Sequence, residues 1–130
     1  MSNRRNDYRH QFADDDRLRV DLSALPGRRR VTGQMVNLSV GGLAFLGDGS
    51  FRLDPAAPVV AHFAIPHGLR RFAIPSAVVH TAADGIGLRF LPLEDPVAQE
   101  EREKALWVFL MDEQRRERRL RRAGAQLGST

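Results

Sequence analysis

Glycine, proline and aspartate cut residues 17–90 into stretches too short for ordinary helices, and this punctuation limits the fold more than any other feature. "RLRVDL" at 17–22 alternates Leu18, Val20 and Leu22 against charge, the period of a half-buried strand. After the turn residues "PGRRR", "VTGQMVNL" predicts a second strand. Its alternation puts Val31, Gly33, Met35 and Asn37 on one face and Val36 and Leu38 on the other. "GGLAFLG" predicts a short third strand and "VVAHFAI" at 59–65 a fourth. "LRRFAI" and "SAVVHTA" follow on either side of Pro75, and "IGLRF" at 86–90 comes after the turn "ADG". The pattern predicts a mainly β domain of six or seven short antiparallel strands, closed as a small barrel or packed as a sandwich.

The ends of the chain differ from this middle. Residues 1–16, "MSNRRNDYRHQFADDD", are polar and without sustained periodicity, and predict a flexible arm. The barrel or sandwich then spans 17–93. Asp95 before Pro96 is an N-cap followed by proline at the first helical position, so a C-terminal helix is expected over 95–123. Gly124 is the expected stop, with a disordered tail over 124–130. Glu100, Glu101 and Glu103 lie near the start of this helix and Arg115, Arg116, Arg118, Arg119, Arg121 and Arg122 near its end, a polarity that complements the helix dipole. Ala105, Leu106, Trp107, Val108, Phe109 and Leu110 form its apolar part. The first half should pack on the strands and the second half project.

Several function classes drop out. At 130 residues the chain has room for one modest core. With no cysteine, disulfides, thiolate catalysis and cysteine-built zinc sites are excluded. His10, His62, His67 and His80 have no metal-ligand spacing, and a solvated loop accounts for Asp14–Asp16, so no metal or cofactor is expected. No Ser, His and Asp arrangement suggests a nucleophile with its base, and the chain is not expected to be an enzyme. No apolar run nears the roughly 20 residues of a membrane span, so no membrane insertion is expected and the cytoplasm is the expected location. The net charge of +4 suits an anionic partner. Lys104 is the only lysine, so nearly all the positive charge is the planar fork of arginine, which fits phosphate and guanine.

Two short stretches stand out. "RRNDYR" at 4–9 spaces Arg5 and Arg9 four apart, with Arg4 beside the first. "NLSVGG" at 37–42 sets Asn37 and Ser39 on the same side of a strand, followed by two glycines that leave the backbone uncovered. Taken alone, the second reads better as an Asx/Ser turn with a glycine bulge and the first as a solvated basic arm. Together and in this order they resemble the signature of the PilZ family, R-x-x-x-R followed by D/N-x-S-x-x-G. The matching residues are Arg5 and Arg9, then Asn37, Ser39 and Gly42. "GQMVNLSVGGLAFL" is similar to the family's strand–motif–strand block and "DGIGLRF" to its closing strand, so the likeness spans most of residues 4–91.

The resemblance implies a PilZ-like antiparallel β-barrel with a C-terminal helix, and a receptor for the bacterial second messenger cyclic di-GMP. It implies a ligand site at Arg4, Arg5, Arg9, Asn37, Ser39 and Gly42, with Arg4 associated with a stacked, intercalated ligand pair. Guanine O6 and N7 suit a bidentate arginine, and so do the two phosphates. A receptor domain without output implies an effector protein partner. The family often has Asp where this chain has Asn37, and an amide offers guanine N1–H and N2–H₂ no full carboxylate. The free arm is expected to be mobile, with ligand drawing Arg5 and Arg9 onto the barrel. The competing readings are a PilZ-like adaptor that does not use the ligand and, ranked behind it, a nucleic-acid binder acting through the arginine-rich helix end.

Overall fold

The alternation of apolar and polar residues closes into a barrel. The computed structural model describes residues 8–24, 29–47, 58–65, 70–82 and 85–128. Its strands are β1 (His10–Gln11), β2 (Leu18–Ala24), β3 (Arg29–Ser39), β4 (Gly42–Gly47), β5 (Pro58–Ile65), β6 (Arg70–Ala82) and β7 (Gly85–Phe90). A 3-10 turn at Asp14–Asp16 separates β1 from β2, and helix α1 (Pro96–Gly128) ends the chain. Every pairing is antiparallel, and the ring β2–β3–β4–β7–β6–β5 returns to β2. Closure of these six strands removes the free edges that an open sheet would have to protect.

The inward residues fill the ring. Val20 and Leu22 of β2, Met35 and Leu38 of β3, Leu43 and Phe45 of β4, Ile74 and Val78 of β6 and Leu88 of β7 are buried. Phe63 stacks on Phe72 and Phe90, with ring centres 5.3 and 6.4 Å away. Helix α1 starts where expected: Asp95 Oδ1 accepts from the Val97 N–H at 3.1 Å. Its Leu106, Phe109 and Leu110 are buried, and Phe109 stacks on Phe12 with ring centres 6.4 Å apart. From Arg118 onward the described side chains are exposed, so the second half projects as expected.

Four expectations are corrected. First, the arm is not free over all of residues 1–16. β2 pairs with β3 only as far as Met35, which leaves the backbone of Val36–Leu38 open, and β1 takes that edge through His10↔Leu38 and Gln11↔Asn37. Phe12 N–H adds a bond to the Val36 carbonyl at 3.0 Å. β1 and β2 are therefore one interrupted strand along β3, with residues 13–17 looped out between them. Second, β3 has a bulge between Met35 and Asn37, so the alternation changes phase and Asn37 does not share the face of Met35. Third, the stretches on either side of Pro75 are one strand, β6. Fourth, the helix passes through Gly124 and continues to Gly128; a helical glycine costs only about 1 kcal/mol when it does not turn left-handed. Residues 129–130 of the expected tail lie outside the described residues.

Pro75 explains the placement of a buried charge. Leu91 N–H donates to the Pro75 carbonyl at 2.8 Å, but proline has no N–H to return the bond. The Leu91 carbonyl instead accepts from Arg102 Nη2 at 2.9 Å, while the guanidinium lies 6.0 Å from the Phe90 ring centre. Arg102 is 7 % exposed, and burial holds its pKa below the ordinary arginine value. Arg102 thus supplies from the helix the donor that Pro75 withholds from the sheet. Arg102→Met should cost about 1–3 kcal/mol of stability, because it takes a charged donor from the carbonyl of half-buried Leu91. In a Pro75→Ala background the restored N–H should reduce that cost by about 0.5–1.5 kcal/mol. Urea denaturation of the four-member cycle measures the difference, and an additive cycle would refute the exchange.

Candidate ligand-binding trough

The outer wall of the barrel carries a shallow trough across β3, β4, β7 and β6. One cross-strand row makes it: Asn37 lies opposite Ala44, Ala44 opposite Gly87, and Gly87 opposite His80. Ala44 and Gly87 have little or no side chain, so the centre of the row is low. Arg9 and Val36 join Asn37 at one wall, and Val79 joins His80 at the other, around a cavity of about 470 Å³. Three strand spacings separate the two walls, roughly 14 Å. Each wall stands on a β-bulge. The first displaces Val36 between Met35 and Asn37, and the second displaces Val79 between Val78 and His80. Bulges re-aim the residues that follow them, and here the re-aimed residues are Asn37 and His80.

Arg9 Nη1 donates to Asn37 Oδ1 at 3.2 Å. The two sequence motifs therefore meet, 28 residues apart in the chain, at one rim of the trough. The expectation that a ligand draws Arg9 onto the barrel is corrected, since β1 already holds it there. Arg4 and Arg5 lie outside the described residues.

Ser39 and Gly42 play a different part from Asn37. Both are buried, and neither lines the trough. Ser39 Oγ donates to the Gly42 carbonyl and accepts from the Gly41 N–H, each at 3.3 Å, which ties the β3–β4 turn. Gly41 O accepts from the Phe90 N–H at 2.8 Å and fastens this turn to β7. A Cβ on Gly42 would collide with the Leu88 carbonyl, whereas one on Gly41 would meet nothing. Gly42 is glycine because β7 runs against it. The backbone that lies open toward the trough is that of Gly87. Ala44, Gly87, Val36 and Val79 carried no sequence signal, because their placement depends on the register of four strands and on two bulges.

The other face of the arm packs on helix α1. Tyr8 meets Trp107 edge-on with ring centres 6.0 Å apart, His10 is buried against Phe12 at 4.7 Å, and Phe12 lies on Phe109. Arg116 of α1 bridges Asp16 at 3.2 Å and Glu113 at 3.1 Å. The short strand thus presents Arg9 to the trough and Tyr8, His10 and Phe12 to the helix, as period-two alternation requires. On the helix, Arg115 and Arg121 pair with Asp112 and Glu117.

Elsewhere on the outer wall, Ser23 Oγ and His62 Nε2 lie 3.1 Å apart, with Asp21 opposite His62. The Asp21 carboxylate is taken up by the Thr32 hydroxyl at 2.7 Å and by Arg19, interactions that also lower its pKa. It does not orient the imidazole as a nucleophile's base would need. Among the described residues no cluster of three or more acidic or histidine side chains is placed to hold a metal. Among the same residues no helix is long and apolar enough to cross a membrane.

A family model, the PilZ domain, matches residues 3–106. Solved structures share the fold. The PilZ domain of CeSA from a cellulose-synthesizing bacterium is 21 % identical with TM-score 0.61, covering 80 % of this chain and 98 % of that one. The PilZ domain of YcgR from Escherichia coli, solved with c-di-GMP, is 13 % identical with TM-score 0.64, covering 85 % and 93 %. The Bacillus subtilis inhibitor of motility, MotI/DgrA, is 13 % identical with TM-score 0.63, and the match covers 82 % of this chain but only 48 % of that protein. No curated protein matches the chain in sequence.

Two measurements check the local geometry. Gly42→Ala should destabilise the barrel by about 1–3 kcal/mol or more in urea denaturation, as overpacking does, while Gly41→Ala stays near neutral. Equal effects would mean that β7 does not constrain Gly42. Tyr8 is the only tyrosine, so an ultraviolet pH titration reads it alone. Burial, then the charge of Glu117, hold its phenol above the ordinary value of 10.0, with Arg118 opposing. The native state favours the neutral phenol, so this contribution to stability is present below pH 10 and is lost as pH rises through the folded pKa. Trp107→Ala should bring the titration down toward 10, and an unchanged midpoint would separate Tyr8 from the helix.

Proposed function

Because the chain belongs to the PilZ domain family, we propose that it is a receptor for cyclic di-GMP that signals by a change of shape rather than by catalysis. The observation that carries this reading is the hydrogen bond from Arg9 to Asn37 at the rim of an open trough. It joins the two motifs into one reading head. Arg9 offers a guanidinium to guanine O6 and N7 or to phosphate. Asn37 accepts from Arg9 through its carbonyl oxygen, which leaves its amide NH₂ to donate to a base edge. Ser39 and Gly42 act through the turn that holds Asn37 in place. Arg5 completes the grip, and Arg4 takes part in holding a second, stacked ligand molecule.

The output runs through the arm. A ligand that engages Arg9 pulls on a strand whose opposite face carries Tyr8, His10 and Phe12 against α1. Movement of Arg9 therefore loads the Tyr8–Trp107 and Asp16–Arg116 contacts and changes what the helix presents to an effector protein.

Calorimetric titration with cyclic di-GMP, with GTP and cyclic di-AMP as controls, tests the reading. Selective low-micromolar or tighter binding is expected. A bidentate contact is worth roughly 1–3 kcal/mol, so Arg9→Ala should weaken binding roughly 5- to 150-fold with little change in ligand-free melting. Asn37→Ala, which removes one amide donor and the partner of Arg9, should also weaken binding. A stoichiometry of two that falls on Arg4→Ala would mark the stacked pair. No heat and no ligand-induced shift in melting would leave the chain as an adaptor that keeps the fold without the ligand.

A further inference from the structure

The far wall of the trough differs in chemistry from the near one. At the near wall Arg9 and Asn37 offer charge and amide donors. At the far wall Val79 is 58 % exposed, an apolar side chain facing solvent, and the β6 bulge turns His80 outward beside it. Between them and Ala44 lies Gly87. A Cβ there would come within 3.3 Å of His80 Cβ and 3.8 Å of Val79 Cγ2, so the bare backbone keeps this end of the floor open. A flat floor, an exposed apolar group and an imidazole ring suit the face of a planar base better than a phosphate.

Resting on the receptor reading, we infer that Val79, His80 and Gly87 form a base-face subsite: one purine ring of the ligand lies on the Gly87–Ala44 floor and packs against Val79 and the His80 ring. The trough then works from two ends. The Arg9–Asn37 end reads the polar edge and the phosphates, and the Val79–His80 end supplies ring contact that discriminates little between purines. Roughly 14 Å between the walls allows a dinucleotide to touch both at once, which a mononucleotide does not. This explains why the second wall also stands on a bulge: in a regular ladder His80 would share the inward face of Val78, and the bulge turns it outward.

The experiment measures cyclic di-GMP affinity by calorimetry for the full chain, its His80→Ala, His80→Phe and Gly87→Val variants, and Asn37→Ala. Stacking on a base is worth about 5- to 150-fold in affinity. His80→Ala should weaken binding by that order, and His80→Phe, which keeps a ring, should stay within about threefold. Gly87→Val should weaken binding at least as much as His80→Ala by filling the floor. His80 is exposed, so the ligand-free melting temperature should be unchanged in its variants. Wild-type affinity in His80→Ala and Gly87→Val, with binding still weakened in Asn37→Ala, would overturn the subsite and leave the receptor reading standing. Equal losses in His80→Phe and His80→Ala would overturn the ring contact. No binding by the wild-type chain would overturn the receptor reading and the subsite together.

Discussion

β3 outruns β2. It pairs with β2 as far as Met35 and then continues to Ser39, and the backbone of this overhang needs a partner. β1 is that partner, and nearly everything distinctive about the molecule follows from it. Two residues of pairing, with one more bond from Phe12, fix the arm against the barrel. Alternation then sends Arg9 to Asn37 on one side and Tyr8, His10 and Phe12 to the helix on the other. A small number of backbone hydrogen bonds thus places both the binding group and the contacts that sense its position.

The second constraint is that a six-stranded barrel of this size is filled by its own side chains. Phe45, Leu22, Met35, Leu38, Leu43 and Ile74 are fully buried in it. A binding site has to be made on the outer wall, where a regular sheet is convex and featureless. Small residues at adjacent register positions, Ala44 and Gly87, lower the surface, and a bulge on either flank raises a wall. Each bulge interrupts one strand ladder locally, in exchange for aiming one polar side chain outward.

The strands themselves were legible, because burial on one face imposes a period of two that residues 17–90 display openly. The helix start was legible from Asp95 and Pro96. Pro75 misled, since a proline within a strand ordinarily breaks it; here β7 ends at Phe90, so the missing N–H falls where the ladder with β7 is already finishing and Arg102 can replace it. The phase of Asn37 misled too, because a bulge has no compositional mark and inverts every later assignment of face. Within the arm, Tyr8, His10 and Phe12 did alternate in the sequence, but three residues among charges are too few to separate a strand from chance. The motif residues were found by their pattern. What the pattern does not reveal is their division of labour, since Ser39 and Gly42 look like a ligand-facing pair until the Leu88 carbonyl is seen to occupy the space beside Gly42.

That division bears on how a short motif specifies a site. Asn37 is 9 % exposed and already holds Arg9, so the near wall is assembled before any ligand arrives and little ordering entropy remains to be lost there. The residues that build it, Ser39, Gly41 and Gly42, fasten β3 to β4 and β4 to β7, and β7 contributes Gly87 to the floor. The same turn that positions Asn37 therefore also sets the distance to the far wall. A substitution in this turn would move the two walls relative to each other, so a residue that never touches the ligand can govern affinity as strongly as one that does. The free end of the response is the arm, because two paired residues hold it far more weakly than the closed ring holds the trough. Strain introduced by a ligand will be relieved first in β1 and in the contacts β1 makes with α1, which is where a change of shape can reach another protein.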